Sequence, residues 1–290
     1  MNDAVLAACD ARDGLADGIV SDYEGCARAI DASKLPRCAS GQRGGCLSEA
    51  QLRAVETLYS RYAFSFPLAN GVTSYPAWGR GGEALPGTGP VGGWTSWLAG
   101  SSPPTLPPGP TAGRAWLYGS GVVQYFFARD PNFDVRRYDP AAFAERVRQV
   151  SALMDSTNPD LSAFAGHGGK LVLAENTADY AQSPYAGIEY YRSVVARMGQ
   201  QAVDSFMRLY VSPGVDHMGM GAPSNVDMLQ VLADWVEQGR SPGELVQVAQ
   251  QPAPPFDVVM ARPMCRHPGY PRYVGGDPRH AESFQCSSQP

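Results

Sequence analysis

The second half of the chain alternates short apolar runs with longer amphipathic stretches. Residues 171–174 form a short apolar run that predicts a buried strand, and residues 206–211, apolar except for Arg208, predict a second strand. Residues 184–198 and 225–238 carry apolar side chains at helical spacing, and each stretch ends at a glycine. This strand–helix–strand–helix order predicts parallel strands with right-handed crossovers, and therefore an α/β fold.

The first half lacks a sustained period. Residues 1–46 are rich in Asp, Gly and Cys and predict an ordered loop region. A capping box at residues 48–51 predicts a helix to about Tyr59, and Asp139-Pro140 predicts a second helix start. Residues 64–113 are interrupted by Gly, Pro and Trp, and a loop of that length usually covers something.

These two patterns divide the chain into two parts. We predict a loop-rich domain over residues 1–160 and an α/β part over residues 161–290. The tail from Gln250 is rich in proline.

Composition narrows the classes of function. The chain has 14 Tyr, 10 Phe and 5 Trp and is 44% hydrophobic, which favours a packed globular protein over a disordered one. A net charge of −5 without a basic cluster argues against a nucleic-acid partner. No apolar run reaches the roughly 18 residues of a membrane span, and the N-terminus does not resemble a signal peptide.

The six cysteines favour structural disulfides. They fall into three local sets, so closing short loops in sequence order is the simplest of fifteen pairings: Cys9 with Cys26, Cys38 with Cys46, and Cys265 with Cys286. No Cys-x-x-Cys pair occurs and no histidine lies at zinc-ligand spacing, so a zinc site is disfavoured. Disulfides imply an oxidising compartment, periplasmic or secreted; the alternative is six reduced, buried thiols.

Two candidate catalytic residues follow the two predicted strands. Asp179 comes after the first strand and His217 after the second, where α/β folds place their sites. They occupy the last two places in the order nucleophile, acid, histidine that α/β-hydrolases use. Asp216 is a competing acid, but adjacent residues rarely face each other across a site, so Asp179 is preferred.

The third member of a triad is missing from the pattern. No Gly-x-Ser-x-Gly elbow occurs in the chain. The nearest imitation, around Ser120, precedes an aromatic run instead of opening a helix after a strand. We therefore expect the nucleophile to lie outside this chain.

An acidic loop near the N-terminus is a candidate cation site. Asp10, Asp13 and Asp17 are spaced by three and four residues, with two glycines that allow sharp turns. Such oxygen-rich loops suit hard cations like calcium, although the spacing is not that of an EF-hand. The pattern alone favours a solvated acidic turn slightly over a cation site, and the neighbouring Cys9, which would anchor the loop, shifts the balance slightly towards the cation site.

Several motifs together resemble the tannase and feruloyl esterase family. They are the acidic loop with Cys9 and Cys26, Gly-Cys-Leu-Ser at 45–48, Tyr-Pro-Ala-Trp-Gly at 75–79, the segment 128–134, and Pro-Gly-x-Asp-His at 213–217. The resemblance covers nearly the whole chain. It implies a partial α/β-hydrolase fold, made of C-terminal strands and helices, with a large loop-rich, disulfide-bonded lid domain.

The resemblance also implies roles for named residues. It implies a calcium ion held by the side chains of Asp10, Asp13 and Asp17 and the carbonyls of Leu15 and Ile19. It implies Asp179 and His217 as acid and base, and it agrees with the three disulfides. Many family members have a cysteine after the catalytic histidine, where this chain has Met218, so the chain is expected to belong to a divergent branch.

The expected activity is hydrolysis of aromatic acid esters, which are small-molecule substrates, by a Ser-His-Asp mechanism. Because family members carry the serine and the oxyanion hole before the lid, we expect an N-terminal hydrolase segment to be missing here. Aromatic residues of the predicted lid would suit an aromatic acyl group, or are ordinary packing: Trp94, Trp97, Trp116, Tyr125 and Phe126. The alternative is a non-catalytic, calcium-stabilised fragment or binding module that needs a separate N-terminal half.

Overall fold

The helices of the protein are short and are distributed over the whole chain. The computed structural model describes residues 1–42, 44–86 and 92–288. The α-helices in these residues are α1 (Asn2–Cys9), α2 (Tyr23–Ala29), α3 (Glu49–Tyr59), α4 (Arg114–Gly121), α5 (Ala144–Met154), α6 (Ser162–Gly166), α7 (Pro184–Met198), α8 (Gln200–Asp204) and α9 (Met228–Gln238). Turns of 3-10 or π type lie at Asp10–Asp13, Ala32–Lys34, Ala69–Gly71, Thr95–Ala99, Val122–Ala128, Val135–Arg137, Pro140–Phe143 and Ala281–Ser283.

The strands of the described residues form two-stranded sheets. The strands are β1 (Tyr62–Ala63), β2 (Ser74–Tyr75), β3 (Leu171–Asn176), β4 (Met207–Ser212), β5 (Leu245–Gln250), β6 (Val258–Met264), β7 (Gly269–Tyr273) and β8 (Phe284–Ser288). The β3–β4 pair is parallel and joined through α7 and α8, which confirms the predicted parallel arrangement. The pairs β1–β2, β5–β6 and β7–β8 are antiparallel.

The predicted helices occur close to their expected positions. Helix α3 begins with the capping box, in which the Ser48 hydroxyl accepts from the Gln51 N–H and the Gln51 side chain accepts from the Ser48 N–H. Asp139 caps a 3-10 turn that leads into α5, and Ser183 caps α7. Helix α9 begins after Asp227, later than predicted, because that side chain accepts the Gln230 N–H.

The prediction of a loop region over residues 1–46 was wrong. Helices α1 and α2 lie there, and they are only eight and seven residues long, too short to show a clear apolar period. The Asp22 carboxylate caps α2 by accepting the Gly25 N–H at 2.8 Å. The Cys9–Cys26 disulfide joins the two helices, which supplies a constraint that isolated short helices lack.

All three predicted disulfides are present. They join Cys9 with Cys26, Cys38 with Cys46, and Cys265 with Cys286, at S–S distances of 1.92, 1.99 and 1.95 Å. The alternative of six reduced thiols is therefore wrong for this structure. The third bridge ties the end of β6 to β8, so the proline-rich tail is ordered strand where the sequence suggested only a closed loop.

Two apolar clusters form the interior. The first lies among α1, α2 and α3 and includes Trp94; the second lies between α7 and β4. Each cluster also includes an aromatic residue from the other predicted part of the chain. Tyr180, from residues 161–290, belongs to the first cluster, and Tyr23, from residues 1–160, belongs to the second. The predicted boundary at residue 160 stays a prediction. Among the described residues, no α-helix is both long enough and apolar enough to cross a membrane.

Candidate active site

The turns that follow β3 and β4 are hydrogen-bonded to each other. The Ala178 N–H donates to the Val215 carbonyl oxygen at 3.0 Å, and the Gly214 N–H donates to the Thr177 hydroxyl at 2.9 Å. The carboxyl ends of parallel strands meet at one edge of a sheet. These bonds therefore hold the two predicted catalytic turns at a fixed separation.

Asp179 and His217 meet between these turns. The Asp179 side chain is buried, and its Oδ1 atom accepts the N–H groups of Ala181 at 2.7 Å and Gln182 at 3.1 Å. Its Oδ2 atom lies 3.0 Å from His217 Nδ1, and the imidazole is 40% exposed. The carboxylate is thus fixed at one oxygen and orients the ring with the other, which leaves Nε2 of His217 for chemistry.

Asp216 shapes the turn that carries the histidine. Its side chain is fully buried, and its Oδ1 atom accepts the N–H groups of Met218 at 2.8 Å and Met220 at 2.9 Å. Its carbonyl oxygen accepts the Asn176 side-chain amide at 3.0 Å. This geometry favours Asp179 over Asp216 as the partner of His217.

A glycine-rich segment, residues 79–82, packs against the turn that carries Asp179. A Cβ atom on Gly79 would lie 1.9 Å from the Thr177 carbonyl oxygen, and one on Gly82 would lie 2.7 Å from the Ala178 carbonyl oxygen. Only glycine allows this close approach of one backbone to another. The segment therefore helps to position the acid, a role that the sequence did not reveal.

Glu175 is a second carboxyl group beside Asp179. It lies at the end of β3 in a half-buried position, against α7 where a Cβ atom on Gly187 would be 1.8 Å from its Oε1 atom. Burial, and to a smaller extent the negative charge of Asp179, raise the pKa of Glu175 to about 7. The carboxyl group is therefore mostly protonated below neutral pH.

Aromatic rings border the exposed face of the imidazole. The Trp97 and Tyr180 ring centroids lie 6.0 and 5.8 Å from that of His217, and the Tyr118 ring lies 5.5 Å from that of Trp97. Trp97 alone of the five aromatic residues singled out in the sequence has a ring contact with His217 among the described residues. Tyr180, which the sequence analysis missed, could have been noticed because it directly follows Asp179.

The other aromatic residues of that set lie elsewhere. Trp94 packs edge-on against Tyr59, and the Trp116 indole donates to a backbone carbonyl at 2.9 Å. Tyr125 and Phe126 are 64% and 42% exposed. These positions are consistent with the packing alternative for Trp94 and Trp116.

Ser120 does not have the surroundings of a nucleophile. It lies inside α4, 3% exposed, and its hydroxyl has no hydrogen-bond partner in the described structure. A nucleophile elbow instead places its serine on a sharp strand-to-helix turn, within reach of the base. This geometry agrees with the expectation from the sequence that Ser120 is not the nucleophile.

The acidic loop is held together by its own carboxylates. Asp10 accepts the N–H groups of Asp17 at 3.1 Å and Gly18 at 3.0 Å. Asp13 Oδ1 accepts the Leu15 N–H at 3.0 Å, and Asp17 Oδ1 accepts the Ile19 N–H at 3.1 Å. The loop is thus a series of side-chain-closed turns.

Several oxygens of this loop remain open to a cation. Asp13 is fully buried and its Oδ2 atom makes no hydrogen bond. Among the described residues, no backbone N–H group donates a hydrogen bond to the carbonyl oxygen of Leu15 or Ile19. Burial raises the pKa of Asp13 to about 6, and the neighbouring Ser21 hydroxyl offsets only part of this rise. A hard cation would satisfy these oxygens, so the residues fit calcium at these positions.

Two carboxylates of the loop are less open. Asp10 is engaged by backbone N–H groups, and Asp17 Oδ2 is paired with Arg262. Within the described residues, the three aspartates do not form a cluster whose carboxylate oxygens all lie within 4.8 Å of one another. A bound ion would therefore need Asp10 or Asp17 to adjust.

The comparison with known proteins decides the family. The sequence model described as tannase and feruloyl esterase matches residues 1–287. The chain belongs to this family. The chain spans about half the length of the curated relatives it matches.

Named relatives of the family are esterases and hydrolases. A probable feruloyl esterase of Arthroderma benhamiae is 30% identical over 293 residues, which are 98% of this chain and 51% of the relative. The mono(2-hydroxyethyl) terephthalate hydrolase of Piscinibacter sakaiensis is 31% identical over 316 residues, covering all of this chain and 51% of the relative.

Solved structures show that the fold is shared. The crystal structure of feruloyl esterase B from Aspergillus oryzae superimposes with a TM-score of 0.77 at 24% identity, over 99% of this chain and 55% of the other. Tannin acyl hydrolase from Aspergillus niger gives a TM-score of 0.70 at 19% identity, over 99% and 52%.

Proposed function

We propose that this chain carries the acid and the base of a serine carboxylic ester hydrolase that acts on esters of aromatic acids. The observation that supports this most is the hydrogen bond between buried Asp179 and half-exposed His217 at the ends of two parallel strands. Family membership supports ester hydrolysis as the reaction class.

In this proposal Asp179 orients the histidine, and His217 acts as the general base and then as the general acid. Asp179 holds the imidazole in the tautomer with a proton on Nδ1 and stabilises the ring when it becomes charged. His217 Nε2 takes the proton from a serine hydroxyl as the serine oxygen bonds to the ester carbonyl carbon. It then donates that proton to the departing alcohol oxygen, and the same cycle with water releases the acid.

The serine and the oxyanion hole, in this proposal, belong to a segment outside this chain. The free edge of β3 supports this: in the described structure β3 pairs only with β4, whose other edge meets residues 265–267. Helix α9 contacts β3 and leaves Leu229 and Val236 78% and 57% exposed. An unpaired parallel strand beside an exposed apolar helix face suits further strands of an α/β-hydrolase sheet. The loop-rich part would then be its lid.

The aromatic acyl specificity rests on the rings around the histidine. Trp97, Tyr180 and Tyr118 form a contiguous set of rings that begins at the imidazole face. Flat rings of this kind stack well on an aromatic acyl group. The printed names of relatives, feruloyl esterase among them, agree with this substrate class.

Calcium belongs to the same proposal. Asp13, Leu15 and Ile19 would supply open oxygens to the ion, and Asp10 and Asp17 would complete the set after adjustment. The ion would supply positive charge that fixes the loop, not a reaction step. The three disulfides favour an oxidising compartment, periplasmic or extracellular.

The purified chain tests where the nucleophile lies. We expect no turnover of a chromogenic aromatic ester that exceeds that of a His217→Ala variant, and no labelling by a serine-reactive fluorophosphonate. Turnover that disappears in His217→Ala would show that the nucleophile is in this chain, and Ser120→Ala would then be the next variant. Such a result would refute the division of the triad but leave the Asp179–His217 pair intact.

A further inference from the structure

Arg262 joins the acidic loop to the C-terminal strands. It lies on β6, is 2% exposed, and its Nη2 atom bonds the Asp17 carboxylate. Its guanidinium carbon lies 4.3 Å from the centroid of the Phe284 ring on β8. A fully buried arginine is uncommon unless it neutralises nearby negative charge.

The bonding of this arginine is incomplete. Its Nε and Nη1 atoms are buried without hydrogen-bond partners in the described structure, and so is the Oδ2 atom of Asp13. Unpaired buried polar atoms are costly, and a buried charge with a single partner is more so. The loop therefore has a carboxylate with one oxygen left open, beside an arginine that is only partly hydrogen-bonded.

The net charge of the three loop aspartates and Arg262 is −2, which one divalent cation would neutralise. Three ionised aspartates, Asp10, Asp13 and Asp17, carry three negative charges, and Arg262 cancels one of them through its bond to Asp17. Two negative charges remain. A divalent cation would bring the group to neutrality, whereas without the arginine one negative charge would be left over.

We propose that Arg262 is a permanent counter-cation of the acidic loop that sets the loop's charge to match one divalent ion and keeps calcium affinity moderate. This inference rests on the proposed calcium site. The arginine competes with calcium for Asp17 and repels the ion through a poorly hydrated interior. In the absence of the ion it prevents the aspartates from repelling one another.

Removal of this charge should strengthen metal binding. Two like charges a few ångströms apart in a partly buried site interact strongly enough to change affinity by about tenfold or more. The effect should be larger for a trivalent ion than for calcium, because the repulsion scales with the ion's charge. A structural role for Arg262 without charge matching would predict weaker binding when it is replaced.

The experiment compares three variants of the full chain at pH 8. Arg262→Gln removes the charge but can still donate to Asp17, and Arg262→Lys keeps the charge. Arg240→Gln removes a surface arginine that is 62% exposed and paired with Asp234, so it controls for net charge. Calcium and terbium dissociation constants are measured by calorimetry, together with the melting temperature in chelator and in calcium.

The expected result is calcium binding about tenfold tighter in Arg262→Gln, a still larger gain for terbium, and little change in Arg262→Lys and Arg240→Gln. Arg262→Gln should also melt lower than the unsubstituted chain in chelator and recover in calcium. Equal or weaker calcium binding in Arg262→Gln would overturn the inference while the calcium site stands. No binding to any variant would overturn both, and would leave the ester hydrolase proposal untouched.

The unsubstituted chain provides a second measurement if Arg262→Gln does not fold. The buried guanidinium should give a distinct 15N NMR signal from its Nε–H group. Because calcium draws Asp17 away from Arg262, that signal should shift on calcium titration with the same dissociation constant as calorimetry. A signal that stays unchanged at saturating calcium would overturn the inference.

Discussion

Replacement of Glu175 by glutamine should make the protein more stable at alkaline pH and should flatten its stability–pH profile. Glu175, at the end of β3, lies half-buried against α7, where burial and the charge of Asp179 raise its pKa to about 7. A carboxyl group whose pKa is raised on folding binds more protons in the folded state. Stability is therefore lost as pH rises from the unfolded pKa of 4.5 through 7.

The magnitude follows from the size of the pKa change. The rise from 4.5 to about 7 corresponds to at most ~3 kcal/mol of unfolding free energy at pH 9. Glutamine has nearly the same shape as the protonated acid and carries no charge. The Glu175→Gln variant should therefore match the original protein within about 1 kcal/mol at pH 5 and exceed it by roughly 1–3 kcal/mol at pH 9.

Urea unfolding at a series of pH values between 5 and 9 measures this difference. Glu237→Gln on the exposed surface of α9 is the matched control and should leave the profile unchanged. A Glu175→Gln gain of equal size at pH 5 and pH 9 would refute the reasoning, because the gain would then not come from the charge. A loss of stability at pH 9 would refute it more strongly.

Two further changes probe the surroundings of the site. His267 is 6% exposed and shares a hydrogen bond with the Tyr23 hydroxyl, whose oxygen lies 2.9 Å from His267 Nδ1, and burial lowers the pKa of His267 to about 4. Between pH 4 and 6.5 the unfolded state therefore binds more protons than the folded state, so the unfolding free energy should fall by up to ~3 kcal/mol as pH drops through that range. Urea unfolding of a His267→Gln variant should lack this part of the pH dependence. An unchanged pH dependence in that variant would contradict the assignment to His267. Gly79→Ala places a Cβ atom 1.9 Å from the Thr177 carbonyl oxygen and should lower the unfolding free energy by roughly 1–3 kcal/mol or more. The control is Gly166→Ala on α6, where nothing lies within 4 Å of the added Cβ atom, and it should not lower the unfolding free energy in this way. Equal effects of the two substitutions would show that the close approach of Gly79 does not constrain the turn that carries Asp179.

The helices and strands that the sequence predicted well are those with complete local signals. Helix α3 has a capping box and α7 has a serine cap, a proline at its start and a glycine at its end. The strands β3 and β4 are short, mostly apolar and separated by α7 and α8, so their parallel pairing could be predicted from the order of the elements. Asp179 and His217 could be proposed because chain order and strand ends are visible in a sequence.

The features that were missed depend on contacts between distant segments. Helices α1 and α2 are held by the Cys9–Cys26 bridge more than by any apolar period. The strands of the proline-rich tail pair with one another and with β5. They lack a regular alternation of polar and apolar residues from which they could have been predicted. The approach of the 79–82 segment to the acid turn and the burial of Arg262 at the acidic loop arise from packing across the chain, which a local pattern does not encode.

The most direct test of the central claim is the hydrolysis rate of a feruloyl ester by a polypeptide that contains both this chain and a nucleophile-bearing segment of the family. The proposed roles predict that Asp179→Asn and His217→Ala each lower kcat by about a thousandfold or more, because the first removes the group that fixes the tautomer and the second removes the base. Asp216→Asn, which keeps an acceptor at Oδ1 for the turn, should lower kcat by less than about tenfold. Full activity in Asp179→Asn, with activity lost in Asp216→Asn, would contradict the assignment of the catalytic acid.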